Sequence, residues 1–152
     1  MTKQTKYVHT CMMVENLNLM VAFYQDVFGC VPVPPARDLS GEWLENSTGV
    51  ADAQVHGQHL RLPGYGDAGP TLEIFQYRPQ DESVAKKINR PGFAHIAFAV
   101  ADVDAMRDRV IQARGTCVGD MVTVNIADAG MIQFIYVRDP EGNIVELQKW
   151  LS

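Results

Sequence analysis

The chain is 152 residues long, 47% hydrophobic and 20% charged, which fits ordinary globular structure and excludes a fibre or a disordered chain. Its 18 acids against 13 bases leave a net charge of −5 with no Lys/Arg run, so neither nucleic acid nor an anionic membrane is expected as a partner. No apolar run approaches the roughly 20 residues that cross a bilayer, the start MTKQTKYVHT lacks an apolar signal core, and Cys11, Cys30 and Cys117 form no CxxC pair, so a reduced cytoplasmic protein is expected.

In chain order, residues 6–14 (KYVHTCMMV) read as a strand, and Asn16 offers a helix cap. Leu17, Met20, Val21, Phe23, Tyr24, Val27 and Phe28 fall at helical spacing, and Gly29 stops that helix. Val31–Pro35, with three prolines, suits an edge strand. Residues 36–52, around Trp43, read as a loop with a short helix that closes over something. Ala53–Leu62 and Pro70–Tyr77 read as two strands joined by a glycine-rich turn, and 78–91 as a polar linker.

The pattern then restarts. Gly92–Val100 (GFAHIAFAV) is apolar in both alternating sets and reads as a buried strand with His95 set into it. Asp102 is a cap, Val103, Met106, Val110, Ile111 and Ala113 make a helical stripe, and Gly115 ends it. Met121–Ile126 and Met131–Val137 are strands, 139–143 (DPEGN) is a tight turn, and Ile144–Trp150 is the last strand. Residues 7–30 align with 93–116 at an offset of 86, which sets His9 on His95, Val14 on Val100 and Asn16 on Asp102. The end strands TLEIFQY (71–77) and IVELQKW (144–150) set Glu73 on Glu146. The expected fold is α+β: one domain, 1–152, of two modules (6–77 and 92–150), each strand, helix and then three strands, joined by the linker 78–91.

Each half therefore carries one histidine on its first strand and one glutamate on its last, all among apolar neighbours. A buried carboxylate without a partner costs several kcal/mol or is forced neutral. Two in one core call for a cation between them, and Lys149, on the last strand, alternates away from Glu146. His9, Glu73, His95 and Glu146 make an N2O2 set of charge −2, suited to one divalent ion: Zn, Ni, Co, Mn or Fe. His56 and His59 lie three apart, face opposite ways and read as surface or pocket residues. Cys11, two residues from His9 on the same face, either lines the site or, as the preferred reading, is a small buried hydrophobe.

The stretches YVHTCMMVENLNLMVAFYQDVFG, LRLPG…TLEIFQY, PGFAHIAFAVADVDA and VRDPEGNIVELQ resemble the vicinal oxygen chelate superfamily of glyoxalase I, methylmalonyl-CoA epimerase, extradiol dioxygenases and fosfomycin-resistance proteins. The resemblance is closest to glyoxalase I or epimerase-like members, because an acid also stands at Glu73. It implies two βαβββ modules in pseudo-twofold arrangement that form a curled mixed sheet around a metal site, with metal ligands at His9, Glu73, His95 and Glu146. It also implies a metal-dependent isomerase or lyase that moves a proton next to a metal-bound carbonyl oxygen, with Glu146 or Glu73 as base. A small carbonyl or thioester substrate and a homodimer follow from the same likeness. The alternatives it leaves are an extradiol ring-cleaving dioxygenase and a small-molecule binder of the bleomycin-resistance type. The segment around Trp43 lies outside the repeat and is expected to choose the substrate.

Overall fold

Strand, helix and then an antiparallel run of strands recur in each half of the chain, as the repeat implies. The computed structural model describes residues 4–151, is α+β, and divides into two units, Met1–Glu82 and Ser83–Ser152.

The first unit runs β1 (His9–Met13), α1 (Leu17–Phe28), β2 (Val31–Ser40), α2 (Glu42–Thr48), β3 (Gln54–Arg61) and β4 (Thr71–Arg78). Its sheet has the order β1-β4-β3-β2, with β1 parallel to β4 and the other neighbours antiparallel. Asn16 starts α1 by accepting the Leu19 N–H at 3.0 Å, which satisfies one of the orphan donors of the first turn. Met20, Phe23, Tyr24, Val27 and Phe28 of α1 are buried, and α1 contacts β3 and β4. Leu60, Leu72 and Ile74, each at most 1% exposed, share the sheet face that α1 covers. Burial of each such side chain contributes about 1.5–3 kcal/mol.

The segment 36–52 departs from expectation. Its first part is strand, because β2 continues to Ser40, and only Glu42–Thr48 is helical. The prolines are accommodated because β2 is an edge strand, whose outer N–H groups need no partner, and the β2–β3 register shifts between Val33 and Arg37. Leu44 of α2 joins Ala53 and Val55 in a small buried cluster, with Leu39, Val50, Phe75 and Tyr77 against it. Val55 pairs with Tyr77, so α2 sits on the sheet face opposite the one α1 covers.

The second unit runs β5 (His95–Ala99), α3 (Val103–Gln112), β6 (Thr116–Cys117), β7 (Val122–Ile126), β8 (Gly130–Arg138) and β9 (Ile144–Leu151). Here β5 is parallel to β9, β8 is antiparallel to β9, and the short strands β6 and β7 both pair with β8 in the place β2 holds in the first unit. Asp102 caps α3 by accepting the Ala105 N–H at 2.9 Å. The helix ends at Gln112, and Arg114, not Gly115, carries the left-handed φ of 72°. Gly115 is needed for space instead, since a Cβ there would overlap the Val110 side chain and the Arg138 carbonyl. Val110, Val137, Val145 and Leu147 are fully buried on the α3 side of this sheet.

The expectation that GFAHIAFAV is buried on both faces is corrected. Ile96 and Phe98, on one face, are half-buried, whereas His95, Ala97 and Ala99, on the other, are exposed, and so is Phe93, outside the strand. An apolar pattern of period two does not distinguish a core face from an open face lined by small apolar residues.

Both antiparallel pairs next to the glutamate strands have a local lock. In the first unit a Cβ on Gly57 would overlap the Phe75 ring opposite it. In the second, buried Asp139 accepts the backbone N–H groups of Glu141 (3.0 Å) and Asn143 (2.9 Å) and the Asn143 amide (2.8 Å), which closes the β8–β9 turn. Gly57→Ala is expected to lower stability by about 1–3 kcal/mol through overpacking. Asp139→Ala should cost about 3 kcal/mol by orphaning donors that bond a charged acceptor. Urea unfolding checks both: each variant shifts the midpoint with the slope unchanged.

Candidate metal centre

In the first unit β1 sets His9 opposite Thr71 and Cys11 opposite Glu73, while β3 sets His59 opposite Glu73. Strand alternation places all five on the face that α1 leaves open. The Glu73 Oε2 lies 2.7 Å from His59 Nε2 and 3.7 Å from His9 Nε2. The two imidazole rings stand edge to face, 5.5 Å apart at 83°. One ligand atom from each of His9, His59 and Glu73 lies within 4.8 Å of the others. The far nitrogen of His59, Nδ1, is 3.1 Å from the hydroxyl of buried Thr71, and the Phe75 ring lies edge-on to His59 at 6.1 Å.

The electrostatics follow from this placement. Burial holds the His59 imidazole below its ordinary pKa; Glu73 opposes that shift, while Arg37 and His9 reinforce it. Burial, together with a hydrogen bond to Glu73 and repulsion by its charge, pushes the Cys11 thiol up to about 12. Cys11 is thus neither the small buried hydrophobe expected nor a ready nucleophile: it is an exposed residue whose thiol is held protonated beside a carboxylate.

In the second unit His95 Nε2 lies 3.1 Å from Glu146 Oε2. The residue opposite Glu146 across β8 and β9 is Tyr136, whose ring is 5.0 Å from the His95 ring at 66°. Burial and the Glu146 charge raise the Tyr136 phenol, which keeps it a proton donor at neutral pH.

Each expected histidine–glutamate couple is therefore brought together inside its own unit. His56 points to the other face of β3, 3.4 Å from the exposed Asp38, as a surface residue. His59, read from the sequence as a surface or pocket residue, is a part-buried neighbour of Glu73, a contact the sequence reading did not include. The signal was present in the hairpin: pairing Leu62 with Pro70, as their 3.2 Å backbone bond does, sets His59 against Glu73. Judging His56 and His59 only as a pair along one strand missed the partner across it. Two imidazoles and a carboxylate suit borderline divalent ions, so the residues present fit a metal.

Comparison with known proteins identifies the fold and the family. No curated protein matches the sequence. Among solved structures, a glyoxalase family protein from Bacillus cereus is similar at 22% identity and a TM-score of 0.83, covering 100% of this chain and 99% of that one. A genomically encoded fosfomycin resistance protein, FosX, from Listeria monocytogenes is similar at 17% identity and a TM-score of 0.60, covering 100% and 94%. A glyoxylase/bleomycin resistance protein/dioxygenase domain from Frankia sp. EAN1pec is similar at 16% identity and a TM-score of 0.60, covering 98% and 100%. At these identities the likenesses establish the fold alone. The family model of the glyoxalase/bleomycin resistance protein/dioxygenase superfamily matches residues 6–147, and the chain belongs to that superfamily.

Proposed function

We propose that the protein is a divalent-metal-dependent isomerase or lyase of the glyoxalase I or epimerase type, acting on a small carbonyl or thioester substrate. The observation that carries this reading is the recurrence of one couple in both units: His9 with Glu73 and His95 with Glu146. In each, the carboxylate is mostly buried (12% and 14% exposed) and the imidazole more open (39% and 29%). A carboxylate at that depth keeps its charge only beside a cation or hydrogen-bond donors. In this reading the two modules work as one domain, and His9, Glu73, His95 and Glu146 hold one ion: Zn, Ni, Co, Mn or Fe.

When bound, such an ion supplies Lewis-acid polarisation of a substrate oxygen. The chain's own residues handle the proton. Glu146, or Glu73 in the equivalent place, accepts it from the carbon next to the carbonyl and returns it to the neighbouring atom. His95 holds Glu146 in position from 3.1 Å. The α2 segment, seated on the face that carries Glu73, is suited to shape the substrate end of the site. The homodimer belongs to the same proposal, supported by Val122, Val124, Ile126 and Trp150, exposed apolar residues on the Glu146 face of the second sheet. Among the described residues no helix is long and apolar enough to cross a membrane.

One observation favours a second reading. His9, His59 and Glu73 form a two-histidine, one-carboxylate set, the donor type of non-haem Fe(II) oxygenases, which supports the extradiol dioxygenase alternative. Oxygen uptake with a catechol, after loading with Fe(II), separates the two.

Elemental analysis of the purified protein should find a divalent metal, and chelation should abolish turnover of thiohemiacetals or α-substituted thioesters until metal is restored. A metal-free preparation that takes up no ion would sink the enzyme reading. Glu146→Gln should lower kcat by about 10²–10⁴-fold, the usual contribution of a positioned base. Retention of both metal and full activity in that variant overturns the assignment of the base.

A further inference from the structure

We propose that His59 is a metal donor, which acts with His9 and Glu73 on the first unit to hold a divalent cation. The proposal rests on the metal-binding reading above and adds a donor to it.

The geometry of the three donors comes first. The Nε2 atoms of both histidines approach the same carboxylate oxygen, His59 at 2.7 Å and His9 at 3.7 Å. The second distance is too long for a hydrogen bond. Donors about 2.0–2.2 Å from a tetrahedral ion stand roughly 3.4 Å from one another. The two observed separations bracket that value, so small side-chain rotations reach it. The imidazole of His9, 39% exposed, leaves an entry path and room for further ligands.

The second observation is the support behind His59. A metal-bound histidine almost always donates its other ring N–H to a fixed acceptor, which sets the tautomer and the ring plane. Thr71 Oγ1 stands at that place, 3.1 Å from Nδ1, and Thr71 is only 9% exposed. With Nδ1–H donated to Thr71, the Nε2 lone pair faces His9 and Glu73. The Phe75 ring, edge-on at 6.1 Å, limits rotation of the imidazole.

The third is the contrast with the second unit. The position opposite its glutamate is filled by Tyr136, whose neutral phenol is a far weaker ligand than an imidazole. The repeat thus supplies three donors in one unit and two in the other. A simple hydrogen bond from His59 to Glu73 explains the 2.7 Å contact, but not the second imidazole held just beyond reach of the same oxygen.

Co(II) titration of the 152-residue chain, followed by its ligand-field absorption, tests the proposal with no need for a substrate. The wild-type chain should bind one Co(II). His59→Gln should weaken binding by more than the about 10–100-fold expected of Thr71→Val, which keeps all three donors but removes the Nδ1 partner. His56→Gln should stay within about threefold of wild type, well inside that range. Binding by His59→Gln equal to that of His56→Gln overturns the assignment of His59. If His59→Gln does not fold, Thr71→Val decides, and unchanged binding there overturns the proposal. Failure of the wild-type chain to take up Co(II) overturns the metal reading itself.

Discussion

Glu73 is the group around which the polar side chains of the first unit's open face gather. Its carboxylate is nearly buried, yet three polar side chains reach toward it: His59, His9 and Cys11. They arrive from both neighbouring strands, one parallel and one antiparallel. That convergence requires both registers to be correct at once, because a slip of one residue turns every side chain of a strand to the other face. The registers are fixed from the opposite side. There Leu60, Leu72 and Ile74 lock against α1, and a slip would expose them. The apolar core thus sets the polar geometry through the sheet, although none of its side chains touches the donors' face.

The second unit repeats this construction with a different outcome. Its parallel first strand presents His95, its last strand Glu146, and α3 closes the far face. The position opposite the glutamate then diverges, His59 in one unit and Tyr136 in the other. An imidazole and a phenol both offer a hydrogen bond to a carboxylate, but only the imidazole is a good neutral ligand near pH 7. One substitution in a repeated scaffold is therefore enough to make two equivalent half-sites chemically unequal.

Much of this was legible in the sequence. The order of elements, both helix caps, and the His9–Glu73 and His95–Glu146 couples follow from one alignment of the chain with itself. That succeeds because a repeat reports three-dimensional equivalence directly. Three features were not legible from it. His59 lies outside the aligned segments, and its partner is visible only once the hairpin register is counted from Leu62 and Pro70. Cys11 was misjudged because its environment is set by Glu73, 62 positions away in the sequence. The open face of GFAHIAFAV was misjudged because small apolar residues serve equally in a core and along the floor of a site. The common cause is that local pattern fixes which face a side chain takes, whereas what lies across from it depends on pairing.

Pairing also explains why Gly57 stands where it does. On the donors' face β3 carries Val55, Gly57 and His59, opposite Tyr77, Phe75 and Glu73. Val55 and Tyr77 belong to the cluster that anchors α2, and His59 and Glu73 to the polar group. Phe75 lies between them, its ring occupying the volume that a side chain at position 57 would need. The ring thereby becomes a shared wall, in contact with the α2 cluster and edge-on to His59. The segment that lies outside the repeat is thus joined to the histidine that breaks the repeat's symmetry through one aromatic side chain, because the volume that Gly57 leaves free lets Phe75 pack on both.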